Sequence, residues 1–283
     1  MAVSISRGMV RKDGRAVPVV PSPYKSSFDG NQPKILVMHF TYGSSAASSA
    51  EWFRSKQNPG SSAHVVIDRD GSIIQCVSFE ECAWHAGASS WRDRHGNRLE
   101  GLNRHSFGIE LSNWGYLQKS ASGWRSYTGA PIADPVLAQH KNGNPDETPG
   151  LIGWEPYPAE QIDAAVEVAR AIVDAYGVDE IVGHDDIAPT RKWDPGPAFD
   201  MQKFRAQVLG DDRSSNDSDT LSVIVDEGLN LRSGPSTEFP TVSLLARGTL
   251  LQPLERRGRW LLVSVMKNGV PFSTGWVHGA YVA

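Results

Sequence analysis

The sequence predicts an α/β domain followed by a small all-β module, and three observations carry that expectation. Two apolar runs, Lys34-Ile35-Leu36-Val37-Met38-His39 and Glu180-Ile181-Val182 ahead of Gly183-His184, read as buried strands that each end at a histidine. Residues 158–176 repeat their apolar side chains with helical period. Beyond the polar stretch 210–219 the pattern changes to short β-rich runs separated by turns. With 283 residues, 40% of them hydrophobic, the chain exceeds one average domain and has ample material for packed cores. The expected organisation is an N-terminal extension over 1–30, an α/β domain over 31–209, a linker over 210–219 and an all-β module over 220–283.

The elements follow in chain order. Residues 1–20 carry Arg7, Arg11, Lys12, Asp13 and Arg15 and never reach the uninterrupted apolar stretch of a signal peptide, and no membrane span is found elsewhere. The expectation is a chain made as a soluble cytoplasmic protein. After the strand ending at His39, a helix is predicted over 47–56, capped by one of the preceding serines. Ser106-Phe107-Gly108-Ile109-Glu110-Leu111 alternates as a strand, with Phe107, Ile109 and Leu111 on one face and Gly108 and Glu110 on the other. Residues 115–158, rich in Gly, Pro, Ser and Asn and holding Trp124, Tyr127, His140 and Trp154, read as a long irregular loop bordering a cleft. Pro158-Ala159-Glu160-Gln161 opens a helix that places Ile162, Val166, Ala169, Ile172 or Val173, and Tyr176 on one face and stops at Gly177. A further helix is predicted over 199–209 and strands over 221–225, 244–254, 260–265 and 275–277. A net charge of −4 without a basic run excludes a nucleic-acid partner of the usual kind. Cys76 and Cys82, the two cysteines, imply no disulfide framework and are read as free thiols.

The candidate chemistry sits on Gly183-His184-Asp185-Asp186-Ile187-Ala188-Pro189-Thr190-Arg191-Lys192-Trp193-Asp194-Pro195-Gly196. Two strands of one sheet ending at His39 and His184 present both imidazoles at the same edge, where open α/β sheets bind ligands. With Asp194 these make an N₂O donor set that suits zinc and leaves a fourth tetrahedral position open, unlike the closed, cysteine-rich structural sites. Pro189 and Pro195 each fix a backbone φ, so the segment from His184 to Asp194 can hold a defined curve without regular secondary structure. A plainer reading stays open at this point, in which His184 ends a strand and Asp194 opens a turn before Pro195.

These blocks, together with Val37-Met38-His39-Phe40-Thr41, Ser62-Ala63-His64-Val65-Val66-Ile67, Ala83-Trp84-His85-Ala86-Gly87 and Asn103-Arg104-His105-Ser106-Phe107-Gly108-Ile109-Glu110, resemble the zinc-dependent N-acetylmuramoyl-L-alanine amidases. That group spans bacterial cell-wall recycling amidases, phage amidases and peptidoglycan recognition proteins, and the blocks stand in family order across about 31–209. The resemblance implies a central, mostly mixed β-sheet flanked by helices. It also implies one zinc ion on His39, His184 and Asp194, Glu110 as catalytic acid/base and Lys192 as the second catalytic group.

The chemistry is consistent with those roles. A bound zinc lowers the pKa of water from about 16 to roughly 7, which supplies hydroxide at neutral pH. Glu110, on a strand this apolar, is expected to be partly desolvated with a raised pKa, which suits a group that takes a proton and later delivers it to the leaving amine. The bland alternative for it is a solvent-facing strand glutamate. Lys192 lies two residues before Asp194, so in an extended segment both side chains face one way and the ammonium can reach a developing oxyanion. Arg191 then points away and reads as a solvated surface charge. His64, His85 and Asn113 are substrate-binding candidates, with core or loop packing as the competing reading for the two histidines. His95, His105, His140 and His278 read as surface or packing residues.

Gly228-Leu229-Asn230-Leu231-Arg232-Ser233-Gly234-Pro235-Ser236 gives the C-terminal module its resemblance to a bacterial SH3-like barrel. It carries a small excess of positive charge, with Arg256, Arg257 and Arg259 clustered, read either as an attraction to anionic wall polymer or as solvated turn arginines. Tethering such a module to a hydrolase raises the local concentration of a polymeric substrate. The resemblance therefore points to hydrolysis of the amide between N-acetylmuramic acid and the L-alanine of the stem peptide, on intact cell wall after release of the protein, as with a phage-type lysis enzyme. The alternatives are an intracellular recycling amidase acting on soluble anhydromuropeptides, and a non-catalytic peptidoglycan-binding protein.

Overall fold

Five strands in the order Glu180–Gly183, Ile35–Phe40, Ser106–Leu111, Val65–Ile67 and Ile73–Gln75 form the sheet that carries the site, in a computed structural model describing residues 2–210, 221–267 and 270–282. The first four run parallel and the last is antiparallel, so the sheet is mixed. Its register is the first fact that matters for function. Glu110 stands opposite His39, and Gly183 stands opposite Met38, so His184 leaves its strand level with His39. Phe107, Ile109 and Leu111 are buried, as are Leu36, Val37 and Met38, because a parallel sheet is covered on both faces.

Helix α1 (Ala46–Arg54) begins at Ser45, whose hydroxyl accepts from the Ser48 amide, and buries Ala46, Ala50 and Phe53 against Ala63, Val66 and Cys76. Helix α2 (Ala159–Tyr176) ends at Gly177, which takes φ +62° and donates its amide to Val173 O. Val166, Ala169 and Ile172 of the predicted face are buried, together with Gln161, Ala164, Ala165 and Val168, while Ile162 and Tyr176 stay half-buried, so the buried face is broader than the one predicted. Gln161 extends it. Its Nε2 donates to Ile67 O and Ser112 O at 3.0 Å each, drawing a polar side chain onto the sheet. Helix α3 (His184–Ile187) forms where irregular backbone was predicted, because Asp186 accepts from the Gly183 amide and closes a first turn. Helix α4 is Met201–Leu209.

The N-terminal residues fold onto this unit. Val3–Ser6, Met9–Lys12 and Arg15–Ala16 form an antiparallel sheet, and the buried Gln75 side chain donates to Gly8 O and accepts from the Val10 amide.

The chain divides into two compact units, one from Met1–Gly115, Tyr157–Gly196 and the chain from Met201, the other from Tyr116–Pro156, Pro197–Asp200 and the C-terminal region. Within the second unit the predicted irregular loop proves to be strands. Gln118–Ser120, Gly123–Arg125 and Pro131–Ile132 pair antiparallel, as do Val136–Ala138 and Ile152–Trp154, with glycines at the turns and under Trp124, which covers Gly153. The barrel encloses Leu229, Leu231, Leu245, Leu251, Leu261, Val263, Val265 and Val277. The single strand predicted over 244–254 divides into Thr241–Leu245 and Leu250–Arg257, with Gly248 at φ +80° in the turn between them. Arg257 lies over the Trp276 ring and donates to Glu255, while the Arg256 side chain and residues 211–219 of the predicted linker lie outside the described residues. No helix among the described residues is long and apolar enough to cross a membrane.

Replacing Gln161 by leucine removes both hydrogen bonds to buried carbonyls and is expected to destabilise the first unit by about 2–3 kcal/mol. An unchanged denaturant midpoint, followed by fluorescence, contradicts this account of α2.

Candidate active site

The register brings three distant side chains to one point. His39 Nδ1 and His184 Nδ1 are 2.9 Å apart, and Asp194 Oδ2 lies 2.9 Å from each. All three residues are buried. Asp194 is held there by its own backbone, since its carbonyl accepts from the Asp185 amide at 2.8 Å and the following Pro195 carbonyl accepts from Tyr157 Oη. Burial, and then the neighbouring His184, push His39 down to about 4, so it is neutral at physiological pH. Burial alone favours a protonated Asp194, but His184 and the hydrogen bonds from both histidines outweigh it and hold the carboxyl far below the usual range. Two imidazole nitrogens and one carboxylate oxygen, desolvated and within 2.9 Å of one another, need a shared proton or a cation among them. The donor set therefore fits a borderline-soft divalent ion.

Glu110 faces the same point from the neighbouring strand. Its Oε2 is buried without a hydrogen-bond partner, and burial, reinforced by the Asp194 carboxylate and opposed by Lys192, pushes its pKa up to about 8. The solvent-facing alternative does not describe this carboxyl. Lys192 is half-buried and its charge acts on both Glu110 and His39, which places it at the site although residues 192–194 form no regular strand.

Residues 29–197 match the N-acetylmuramoyl-L-alanine amidase family, and residues 227–283 match the bacterial SH3 domain. The chain is 32% identical over 209 residues to the 1,6-anhydro-N-acetylmuramyl-L-alanine amidase AmpD of Escherichia coli, covering 67% of this chain and 90% of that protein. It is 32% identical over 186 residues to the N-acetylmuramoyl-L-alanine amidase AmiD of Escherichia coli, covering 62% of this chain and 54% of that one. A solved structure of AmpD has 27% identity and a TM-score of 0.49, covering 72% of this chain and 98% of that chain. The chain belongs to the N-acetylmuramoyl-L-alanine amidase family.

Around the centre of this amidase, the remaining sequence candidates occupy places that spacing did not reveal. His64 is a core residue and not a groove residue. It is fully buried among Phe28, Phe79 and Phe107, its Nδ1 accepts from the Gly108 amide, and its Nε2 faces Glu81 O. Both ring nitrogens are thus used inside the fold, and burial pushes its pKa down to about 4. Asn113 is likewise buried, with Oδ1 accepting from the Gly115 amide at 2.7 Å in a turn whose φ of +64° and contact with the Phe40 ring require glycine. His85 faces His39 instead of the solvent: its Nδ1 lies 3.0 Å from His39 Nε2, and its ring occupies the space that the missing side chain of Gly108 leaves. Arg191 is no solvated charge. Its guanidinium donates to Ala86 O at 2.6 Å and Ala88 O at 2.7 Å. His95 pairs with Asp179, His140 is buried beside Trp154, and His278 caps the last turn of the barrel. Cys76 and Cys82 are free and buried, and burial pushes the Cys76 thiol up to about 12.

Glu110 gives a test with a defined sign. Its carboxyl rises from 4.5 to about 8 on folding, so the metal-free fold tolerates the neutral form and loses stability as pH climbs through that interval. Glu110→Gln, neutral throughout, is expected to be more stable than the parent above pH 8 by on the order of 2–4 kcal/mol, and to gain little below pH 4.5. Denaturation of the metal-free proteins at both ends of the range checks this, and a pH-independent difference refutes the desolvated carboxyl.

Proposed function

We propose that this chain is a zinc-dependent N-acetylmuramoyl-L-alanine amidase, hydrolysing the amide between the lactyl group of N-acetylmuramic acid and the L-alanine of the stem peptide. The observation that carries it is the buried convergence of His39 Nδ1, His184 Nδ1 and Asp194 Oδ2 beside an unpartnered carboxyl oxygen of Glu110, within a chain of this family. His39, His184 and Asp194 would hold one zinc ion, whose Lewis acidity activates water and polarises the scissile carbonyl.

The protein's own groups do the rest. Glu110 holds and moves the proton. Its elevated pKa lets it accept a proton from the attacking water and release it to the departing amine near neutral pH. Lys192 supplies positive charge fixed where the carbonyl oxygen becomes negative, at a partly buried place where that charge is poorly screened.

Polymeric peptidoglycan is the substrate this chain is best equipped for, because the bacterial SH3 domain provides a second site along the same polymer. Soluble anhydromuropeptides are the second reading, favoured by the similarity to AmpD, a 1,6-anhydro-N-acetylmuramyl-L-alanine amidase. Action on the wall requires the protein to reach it, and action on fragments requires their import.

Release of new N-terminal alanine, measured from insoluble sacculi and from soluble anhydromuropeptides with and without a chelator, tests these readings together. Release from sacculi that stops with chelator and returns with zinc is the expected result. Activity confined to the small fragments transfers the assignment to the second reading, and no release from either by zinc-loaded protein removes the enzymatic one. Glu110→Gln is expected to lower turnover at least about a hundredfold, and Lys192→Met to lower kcat about 10²–10³-fold with little change in KM.

A further inference from the structure

We infer that residues 84–88 form a strap that sets the tautomers of both histidine ligands, with His85 and Arg191 as positioning residues for the metal. This rests on the zinc reading of His39, His184 and Asp194. If each histidine binds through Nδ1, the nitrogen facing Asp194, then each carries its proton on Nε2 and must donate it behind the site. The strap supplies both acceptors. Ala86 O lies 3.1 Å from His184 Nε2, and His85 Nδ1 lies 3.0 Å from His39 Nε2 with the two rings edge to face at 83°.

The second of these contacts fixes a further proton. For His85 Nδ1 to accept, its own hydrogen must sit on Nε2, which points at Ser106 O at 3.5 Å and Ser106 Oγ at 3.4 Å. A single order of donors therefore runs from His39 through His85 to Ser106, and reversing any link leaves two hydrogens or two lone pairs facing each other inside the fold.

The strap is itself held from two sides. Asn103 Oδ1 accepts from the amides of His85 and Ala86 at 3.0 and 2.6 Å. Arg191, on the segment that also bears Asp194, donates from Nη2 to Ala86 O and Ala88 O and from Nε to Ala88 O. Gly87 makes that approach feasible, since it takes φ +57° and a Cβ there would lie 3.0 Å from Arg191 Nη2. Gly108 does the same for the His85 ring, which a Cβ would meet at 2.5 Å. Arg191 thus ties the loop carrying one ligand to the strap that orients the other two, and lysine, a point charge without a planar fork, cannot reproduce the bridge between two carbonyls.

The test is zinc affinity, measured by competition with a chromophoric chelator on the full chain and independent of turnover. His85→Phe keeps a ring of similar volume against Gly108 and removes the acceptor, whereas His85→Asn places an amide oxygen where Nδ1 lies and gives up volume. The expected order is a 10–100-fold loss of zinc affinity in His85→Phe with most of it retained in His85→Asn, and a loss of at least about tenfold in both Arg191→Ala and Arg191→Lys. Affinity that follows volume instead, with Phe tight and Asn weak, overturns the proposal, as does equal affinity in both His85 variants or undiminished affinity in the Arg191 variants. His39→Ala separates the two readings: if the parent binds zinc and His39→Ala does not, the metal centre stands whatever the strap variants do. If the parent binds none, the metal reading fails first.

Discussion

The proposed site depends on one close contact in the first unit, three electronegative atoms held 2.9 Å from one another in a buried place. Left alone, such atoms separate or acquire a proton. They stay together because each is fixed by backbone that has other reasons to be where it is. His39 belongs to a strand hydrogen-bonded on both sides, His184 follows a strand in register with it, and the Asp194 carbonyl is tied to the amide of Asp185, the residue next to His184. The set of donors is therefore preorganised by sheet and loop hydrogen bonds in an arrangement that fits a cation.

The same register explains the separation of roles among the carboxyls. Glu110 and Asp194 share one desolvated region, yet their protons are bound with opposite strength. Asp194 is surrounded by imidazole nitrogens that stabilise its charge, whereas Glu110 has an unpartnered oxygen and feels Asp194 as a like charge. Two acidic groups pushed apart in this way can serve as permanent ligand and as proton carrier. Swapping their environments would reverse both tendencies, and neither tendency can be deduced from the residue type alone.

Much of this was legible in the chain because it is local or periodic. Strand ends at His39 and His184, the serine cap of α1, the glycine stop of α2 and the alternation around Glu110 follow from short-range rules, and they fix the sheet edge at which the chemistry sits. What was hidden depends on contacts between residues far apart. His64 lies in a block that resembles a groove wall, but the Gly108 amide and Glu81 carbonyl that occupy its ring come from other segments. Arg191 was assigned to solvent by alternation from Lys192, and alternation fails because residues 189–191 turn, which swings the guanidinium onto Ala86 and Ala88. Gln161 joined the buried face of α2 for the same reason: two carbonyls on the sheet needed a donor, and only the folded chain shows where they are. Composition misled in residues 115–158, where glycine and asparagine mark turns between short strands and not the absence of strands.

Those short strands bear on how the C-terminal barrel is finished. In the second unit, Val136–Ala138 pairs with Ile152–Trp154 on one side and meets Val270–His278 in parallel at Leu137 and Ser273 on the other. Val270–His278 is the strand that also pairs along its length with Trp260–Lys267, so a small barrel that would present an open strand edge has part of that edge occupied by backbone from 136–154. An open edge is a template for pairing with any extended chain, and covering it removes that hazard. It also narrows what that edge can do: with that stretch of backbone occupied, an extended chain cannot add there as a further strand. The insertion therefore has a reason to alternate as β-structure that is independent of any cleft it borders, and its strand pattern is a property of the sheet it completes.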